Sequence, residues 1–358
     1  MKNKLDKNLI YFMILFLLIL VFYLNEIYNI KINIKLKSTI LLILTLIYII
    51  DMKINKKDNL KISILFLLII FLRKYYISFY IVFISRFLTK KRRLQIILII
   101  MLFFYILTLV LNYFGYLEFN NIKYGLTRYG DILKIRNPLG FSHPNTTMVL
   151  MLPIFFLLYY LYYSRLKIML IVIFEIINIY LFYYTNSRTS FLLINLFLSI
   201  IFLGDKFISK IKVLFYLQEI IIVIFSIILP IFFHNSILDG LFSGRLIYSY
   251  CYLKNISITF LGKNMTEIYN TYYPLDNIYL KIIYENGILG LILCIIVIFY
   301  IINLLYKNKD YKAIRIFSII LILGFMESIV FYYFVNIICF IIPEYIFGNK
   351  EITIKNIK

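Results

Sequence analysis

The chain has 358 residues, 63% of them hydrophobic, and a mean hydropathy of +0.91, which excludes a soluble globular domain. A net charge of +21 would suit a nucleic-acid binder, but the lysines and arginines sit in short clusters between long apolar runs, where topology and anionic lipid account for them. The three cysteines, Cys251, Cys294 and Cys339, are odd in number and lack metal-ligand spacing, so no disulfide framework is implied.

In chain order, the apolar runs predict helices at roughly 9–24, 38–51, 60–72, 75–88, 94–115, 145–163, 168–184, 189–204, 213–233, 277–305, 315–328 and 329–347. A hydrocarbon layer of ~30 Å takes about 20 residues of helix to cross. Backbone polar groups in lipid need internal partners, so runs this apolar must be helical. The alternating pattern of a membrane barrel strand is absent. The expected fold is therefore all-α, a polytopic integral membrane protein of about 12 transmembrane helices. The number drops to 10 if the short third and fourth spans merge and 315–347 forms one element. The whole of 1–358 reads as a single transmembrane domain. Its first run follows Lys2, Lys4 and Lys7 and precedes the bulky Phe22-Tyr23-Leu24-Asn25-Glu26, which reads as an uncleaved anchor. Alanine occurs only at Ala313 and tryptophan never, a bias that points to an AT-rich bacterial genome.

With the N-terminus inside, the inner loops hold 23 basic residues and the outer loops 13. The positive-inside rule then places both termini in the cytoplasm of a bacterial cell, in a multi-pass protein of the cytoplasmic membrane. The two longest external loops are 116–144 and 234–276, which form the expected active-site face. Arginine accounts for 4 of the 23 inner basic residues but 5 of the 13 outer ones. Its planar fork suits bidentate phosphate binding, whereas lysine is sufficient for topology.

Those outer loops hold the candidate site residues. The stretch from Arg128 through Arg136 to His143-Pro144-Asn145 runs straight into a membrane helix, with Asn145 or Thr146 able to cap it. A helix N-terminus beside two arginines suits an anion. Asn186-Ser187-Arg188-Thr189-Ser190 forms a polar turn between two apolar helices, and Arg188 can serve either as an interfacial anchor or as a phosphate contact. The loop 234–276 contains Ser243-Gly244-Arg245 and ends on Asp276-Asn277, where Asp276 is a possible N-cap. In the helix that follows, Lys281 and Glu285 stand four apart and can neutralise each other, and Gly287 and Gly290 can admit a close neighbour. Glu175, Gln218 and Glu219 read as polar contacts between helices, and His234 as an interfacial residue.

Together, Gly140-Phe141-Ser142-His143-Pro144-Asn145, Ser187-Arg188-Thr189-Ser190, Ser243-Gly244-Arg245 and the run from Asp276 to Leu291 resemble the bacterial O-antigen and capsular polysaccharide polymerases (Wzy-type) of the polymerase/ligase superfamily. Glu327-Ser328 and Asn336 resemble that family's closing helices, so the likeness covers roughly 116–340. The resemblance implies a metal-independent membrane glycosyltransferase, without cofactor, acting on the outer face. Its donor would be an undecaprenyl-pyrophosphate-linked oligosaccharide, and its partners membrane lipid, a flippase and a chain-length regulator, with no nucleic acid. It also implies Asp276 or His143 as the base. Substrate contacts would come from Arg128, Arg136, Asn145, Arg188, Arg245, Asn277, Glu285 and Glu327. Ligases of the superfamily carry histidine where this chain has Asp276, which disfavours the ligase reading. A ligase and a flippase of the lipid-linked unit are the alternatives.

Overall fold

A computed structural model describes residues 7–24, 78, 81, 82, 85, 88–117, 125–127, 130–134, 136–265, 268, 269, 275–331 and 334–347. Its helices are α1 (Lys7–Phe22), α2 (Lys90–Tyr113), α3 (Pro144–Thr185), α4 (Arg188–Ile201), α5 (Asp205–Lys210), α6 (Lys212–Phe233), α7 (Ile237–Leu241), α8 (Arg245–Asn255), α9 (Ile278–Lys307), α10 (Tyr311–Met326), α11 (Ile338–Ile341) and α12 (Pro343–Phe347). A small antiparallel hairpin of β1 (Gly125–Thr127) and β2 (Gly130–Lys134) lies in the loop before α3, pairing Gly125 with Lys134 and Thr127 with Gly130.

Among the described residues, four helices, α2, α3, α6 and α9, are long and apolar enough to cross a membrane. They carry apolar residues outward as well as inward. On α2 the exposed side chains Ile99, Phe103, Ile106 and Val110 recur every three or four residues. On the second arm of α3 the same stripe is Met169, Val172, Ile176, Ile179 and Tyr183. In water such stripes would be costly; in lipid they are the solvated face. A polytopic membrane protein is the reading these helices support.

The 42-residue α3 is two helices rather than one, since Leu166 breaks it with φ −123° and ψ 35°. A straight helix of that length would reach ~63 Å. Yet Asn145 at its start and Ser187 just past its end share a hydrogen bond of 3.1 Å, and Phe155 stacks on Phe174 at 4.2 Å. The chain therefore reverses at Leu166, inside the charged segment that separates the expected spans 145–163 and 168–184.

Because consecutive helices reverse direction, their ends collect at two poles. One pole gathers the loop 136–140, both ends of α3, and the starts of α4, α8 and α9 with the end of α10. At the other, Lys90 donates to Tyr345 (2.7 Å) and both Tyr160 and Tyr345 donate to Asp310 (2.5 Å each). There Arg315 pairs with Asp205 at 2.7 Å and also donates to the Leu203 carbonyl.

Two expectations are corrected here. The run 329–347 is not a spanning helix. It folds as a 3-10 turn at Ser328–Phe331 and the short helices α11 and α12, buried against α2, where Arg93 Nε donates to the Phe340 carbonyl at 3.0 Å. From Phe334 to Ile342 its apolar residues are buried in protein. Gly287, expected to admit a neighbouring helix, instead breaks α9 with φ 74° and ψ −175°. The amides of Ile288 and Leu289 bond to the carbonyls of Thr259 and Phe260, and Lys263 donates its amide to the Tyr284 carbonyl. A Cβ at Gly287 would lie 2.2 Å from the Phe260 oxygen, so only glycine fits beneath this strap. The expected spans 38–51 and 60–72 lie outside the described residues, as does most of 75–88.

Between the poles, Gln218 exchanges two hydrogen bonds with Ser318, its Nε2 donating to the carbonyl (2.8 Å) and its Oε1 accepting from Oγ (2.7 Å). Tyr279 donates toward Glu219 across 3.3 Å, joining α6 to α9. These are the interhelical contacts expected of both residues.

Candidate active site

The segment before α3 is held in place by its own polar atoms. The Asn137 amide donates to the Tyr184 carbonyl (2.9 Å), and Thr147 Oγ1 donates to the Pro138 carbonyl (2.7 Å), tying residues 137 and 138 to both ends of the α3 hairpin. Arg136 is thereby fixed with its Nε donating to the Thr185 carbonyl at 2.8 Å and its Nη2 to Asn145 Oδ1 at 2.6 Å. That Asn145 oxygen also accepts from Ser187 Oγ, and Asn145 Nδ2 donates to Glu327 Oε1 at 3.3 Å. The same Glu327 oxygen accepts from Arg245 Nη2 at 2.7 Å, while Arg245 Nε donates to Asp276 Oδ2 at 3.1 Å.

The result is one continuous polar chain, Thr185–Arg136–Asn145–Glu327–Arg245–Asp276, drawn from segments up to 191 positions apart. Its inner members are nearly covered, with Arg245 and Glu327 side chains each 11% exposed, while Asp276 opens to solvent at 36%. Asp276 is the accessible carboxylate of the group.

Local structure explains how Arg245 is aimed. It is the first residue of α8, whose N-cap Gly244 has no side chain to satisfy the helix amides. Asp239 does so instead, its Oδ1 accepting from Leu246 N (3.0 Å) and Ile247 N (3.1 Å) while the residue is 1% exposed. Reading the sequence alone missed Asp239. Its only signal is a lone acid six residues before Arg245, which tertiary folding turns into a cap.

The caps elsewhere also differ from expectation. His143, not Asn145 or Thr146, caps α3, its Nδ1 accepting from the Asn145 amide at 3.1 Å. An imidazole that accepts through Nδ1 carries its proton on Nε2 when neutral. Asn277, not Asp276, caps α9, its Oδ1 accepting from the amides of Tyr279 (3.0 Å) and Leu280 (3.2 Å). Asp276 is thus released from capping and given to Arg245.

Not every expected site residue joins the cluster. Arg188 is exposed at the first position of α4, beside Ser187. Glu285 accepts from Tyr269 at 2.7 Å two turns further along α9, with Lys281 over the Tyr269 ring at 5.7 Å. Arg128 lies outside the described residues.

The electrostatics are uneven. Arg136 sits below its ordinary range, first because it is buried and then because the charges of Arg245 and Arg188 oppose its own. Glu327, one residue beyond α10, has its carboxyl pushed up to about 7 by burial, with Arg245 acting against that rise and the Asp276 charge adding to it. Chemically, the arrangement offers an accessible carboxylate steadied by an arginine, in one cluster with Arg136, whose hydrogen-bond partners are neutral. Compared with family models, curated proteins and solved structures, the chain matches none.

Proposed function

We propose that this protein is a polysaccharide polymerase of the outer face of a bacterial cytoplasmic membrane. It transfers a growing glycan from its undecaprenyl-pyrophosphate carrier onto a new lipid-linked repeat unit, without metal or cofactor. The observation that carries the reading is the convergence of Arg136, Asn145, Arg245, Asp276 and Glu327 at one pole of an apolar bundle. Of these, Asn145, Arg245, Asp276 and Glu327 come from the motifs that resemble the polymerases.

The reaction divides among them. Asp276 accepts the proton of the attacking sugar hydroxyl as that oxygen bonds to the anomeric carbon. The pyrophosphate leaves with the electron pair of the broken bond, and arginines at its oxygens favour its departure. Arg245 Nε donates to Asp276 Oδ2 and so fixes the direction in which the carboxylate faces. Glu327, on the far side of Arg245, fixes the guanidinium in place. Placement of the motifs at one end of the helices, rather than midway along them, favours surface chemistry over transport.

Deleting the gene and running surface polysaccharide on a gel tests this. A polymerase mutant accumulates single repeat units at the surface; an unchanged ladder of long chains would sink the proposal. Loss of all surface units would point to a flippase.

A further inference from the structure

We infer that Tyr279 is a positioning residue: held between Glu219 and the Leu321 carbonyl, it sets the spacing of the two helix ends that carry Asp276 and Glu327. This rests on the role of Asp276 proposed above and names what keeps that carboxylate in register.

The first observation is the bridge at the site. A single guanidinium, that of Arg245, meets both carboxylates, with Nε 3.1 Å from Asp276 Oδ2 and Nη2 2.7 Å from Glu327 Oε1. Asp276 stands just before the N-cap of α9, and Glu327 is the C-cap of α10. The start of α9 and the end of α10 must therefore stay within reach of one planar group. The Asp276 arm is 36% exposed, and an ion pair open to solvent is too weak to hold two helices at a fixed distance. The spacing has to be set beneath it.

The second is a joint of three helices in that place. Tyr279, three residues after Asp276, is fully buried and donates its phenolic hydrogen to the Leu321 carbonyl of α10 at 2.8 Å. Glu219 of α6, equally buried, brings Oε2 to 3.3 Å from the same phenol oxygen. Three residues of helix rise about 4.5 Å, so on α9 the joint lies roughly one turn below the bridge.

The third is the closeness of approach. Gly324 lies three residues before Glu327, and a Cβ there would stand 2.9 Å from Ile278 Cγ2 and 3.2 Å from Tyr279 Oη. At the level of the phenol, α9 and α10 are thus packed to the limit that a glycine permits. The same one-turn offset recurs on both helices, from Tyr279 to Asp276 and from Gly324 to Glu327.

The fourth is Glu219 itself. An acid among apolar helices is costly, and mere packing would be served as well by an apolar side chain. Among the described residues Glu219 Oε1 has no hydrogen-bond partner, and the hydrogen bond of Oε2 is with Tyr279. The acid is committed to that phenol.

The test measures surface polymer per folded protein molecule, the folded amount being taken from size-exclusion chromatography of the full chain in detergent extracts. Tyr279→Phe keeps the ring and removes the hydroxyl. Polymer per folded molecule should fall about tenfold to a hundredfold, as expected when reacting groups are displaced by a fraction of an ångström to an ångström, with the folded amount little changed. Glu219→Leu should lower it as well, and Glu219→Gln, which keeps a polar oxygen for the phenol, should restore it. Tyr279→Phe combined with Glu219→Leu should be no worse than Tyr279→Phe alone, since both act through one hydroxyl. Native-like polymer per folded molecule in Tyr279→Phe overturns the inference. So does a loss of polymer that only follows loss of folded protein, a Glu219→Gln variant no better than Glu219→Leu, or additive losses in the double variant, each of which marks ordinary packing. A deletion strain with normal polymer removes the polymerase reading itself. A deletion strain without polymer, beside a fully active Tyr279→Phe, removes the positioning role alone.

Discussion

The two poles of the bundle use the same residue types to opposite ends. At the Lys90 pole each paired cation has a carboxylate of its own: Lys90 lies 3.6 Å from Asp310, Arg93 lies 3.8 Å from Glu344, and Arg315 meets Asp205. Tyrosines and backbone carbonyls supply further partners, and Asp310 also caps α10 through the Ala313 amide. Such a network pairs charge with charge and ties segments together. At the Arg245 pole one arginine holds two carboxylates while Arg136 has neutral partners only. Charges left unbalanced in a partly buried site cost stability, and proteins keep them where they bind or react. The contrast separates a fastening from a site without reference to any relative.

The sharpest way to break the comparison is to ask whether the poles lie on opposite sides of a membrane. Single cysteines at the exposed positions Ser243 and Asn308, with Cys251→Ser as background, should divide completely. The Ser243 site should react with a membrane-impermeant thiol reagent in intact cells, and the Asn308 site only after lysis. Labelling of both in intact cells would refute the two-pole topology.

Next in size is Asp276→Asn. Because Asn277 supplies the cap, this change leaves the start of α9 capped while removing the proton acceptor and the charge that pairs with Arg245. Polymer formation should fall by about 10²–10⁴-fold at normal protein level. A variant that polymerises normally would move the base elsewhere. Replacing Arg136, Arg188 or Arg245 with lysine keeps charge but loses the fork, and should cost about 1–3 kcal/mol, roughly tenfold to a hundredfold in rate. Asp310→Asn at the opposite pole should instead lower the melting midpoint and leave turnover per folded molecule unchanged. Equal effects on turnover at both poles would erase the distinction.

Much of the helical framework was legible in the sequence, because apolar runs ended by charged clusters mark where helices must stop. The bounds of α2, α4, α6, α9 and α10 fall within a few residues of the expected ones, and the hinge at Leu166 lies in the expected break. The run 329–347 misled because residues buried in protein and residues facing lipid have the same composition. The break at Gly287 was hidden because its cause, the strap at 259–263, comes from a distant loop. Within the site, Arg136, Arg245 and Asp276 could be named from their loops. Their wiring could not: Glu327 reaches Arg245 across 82 positions and Asn145 across 182. The exchange of roles between Asp276 and Asn277 was equally hidden, since either residue caps a helix well.

The smallest expected effect concerns Glu327 and sharpens what unbalanced charge means here. Its carboxyl is pushed from an ordinary value of 4.5 up to about 7, chiefly by burial. Between those values the folded protein holds a proton that the unfolded chain has released. Stability rises with pH only where the unfolded state binds more protons, so here it must fall as pH rises across the window from 4.5 to 7. Glu327→Gln has no proton to lose and should lack this component. The native protein should therefore gain on the variant by a few degrees in melting midpoint as the pH is lowered through that window. It should gain nothing further below it, where both states are protonated. Melting curves for native and Glu327→Gln that stay parallel from pH 8 to pH 4 (about the range a detergent-solubilised protein tolerates) would show that Arg245 fully compensates the carboxylate. Glu327 would then be an ordinary salt-bridge partner, like the carboxylates of the Lys90 pole.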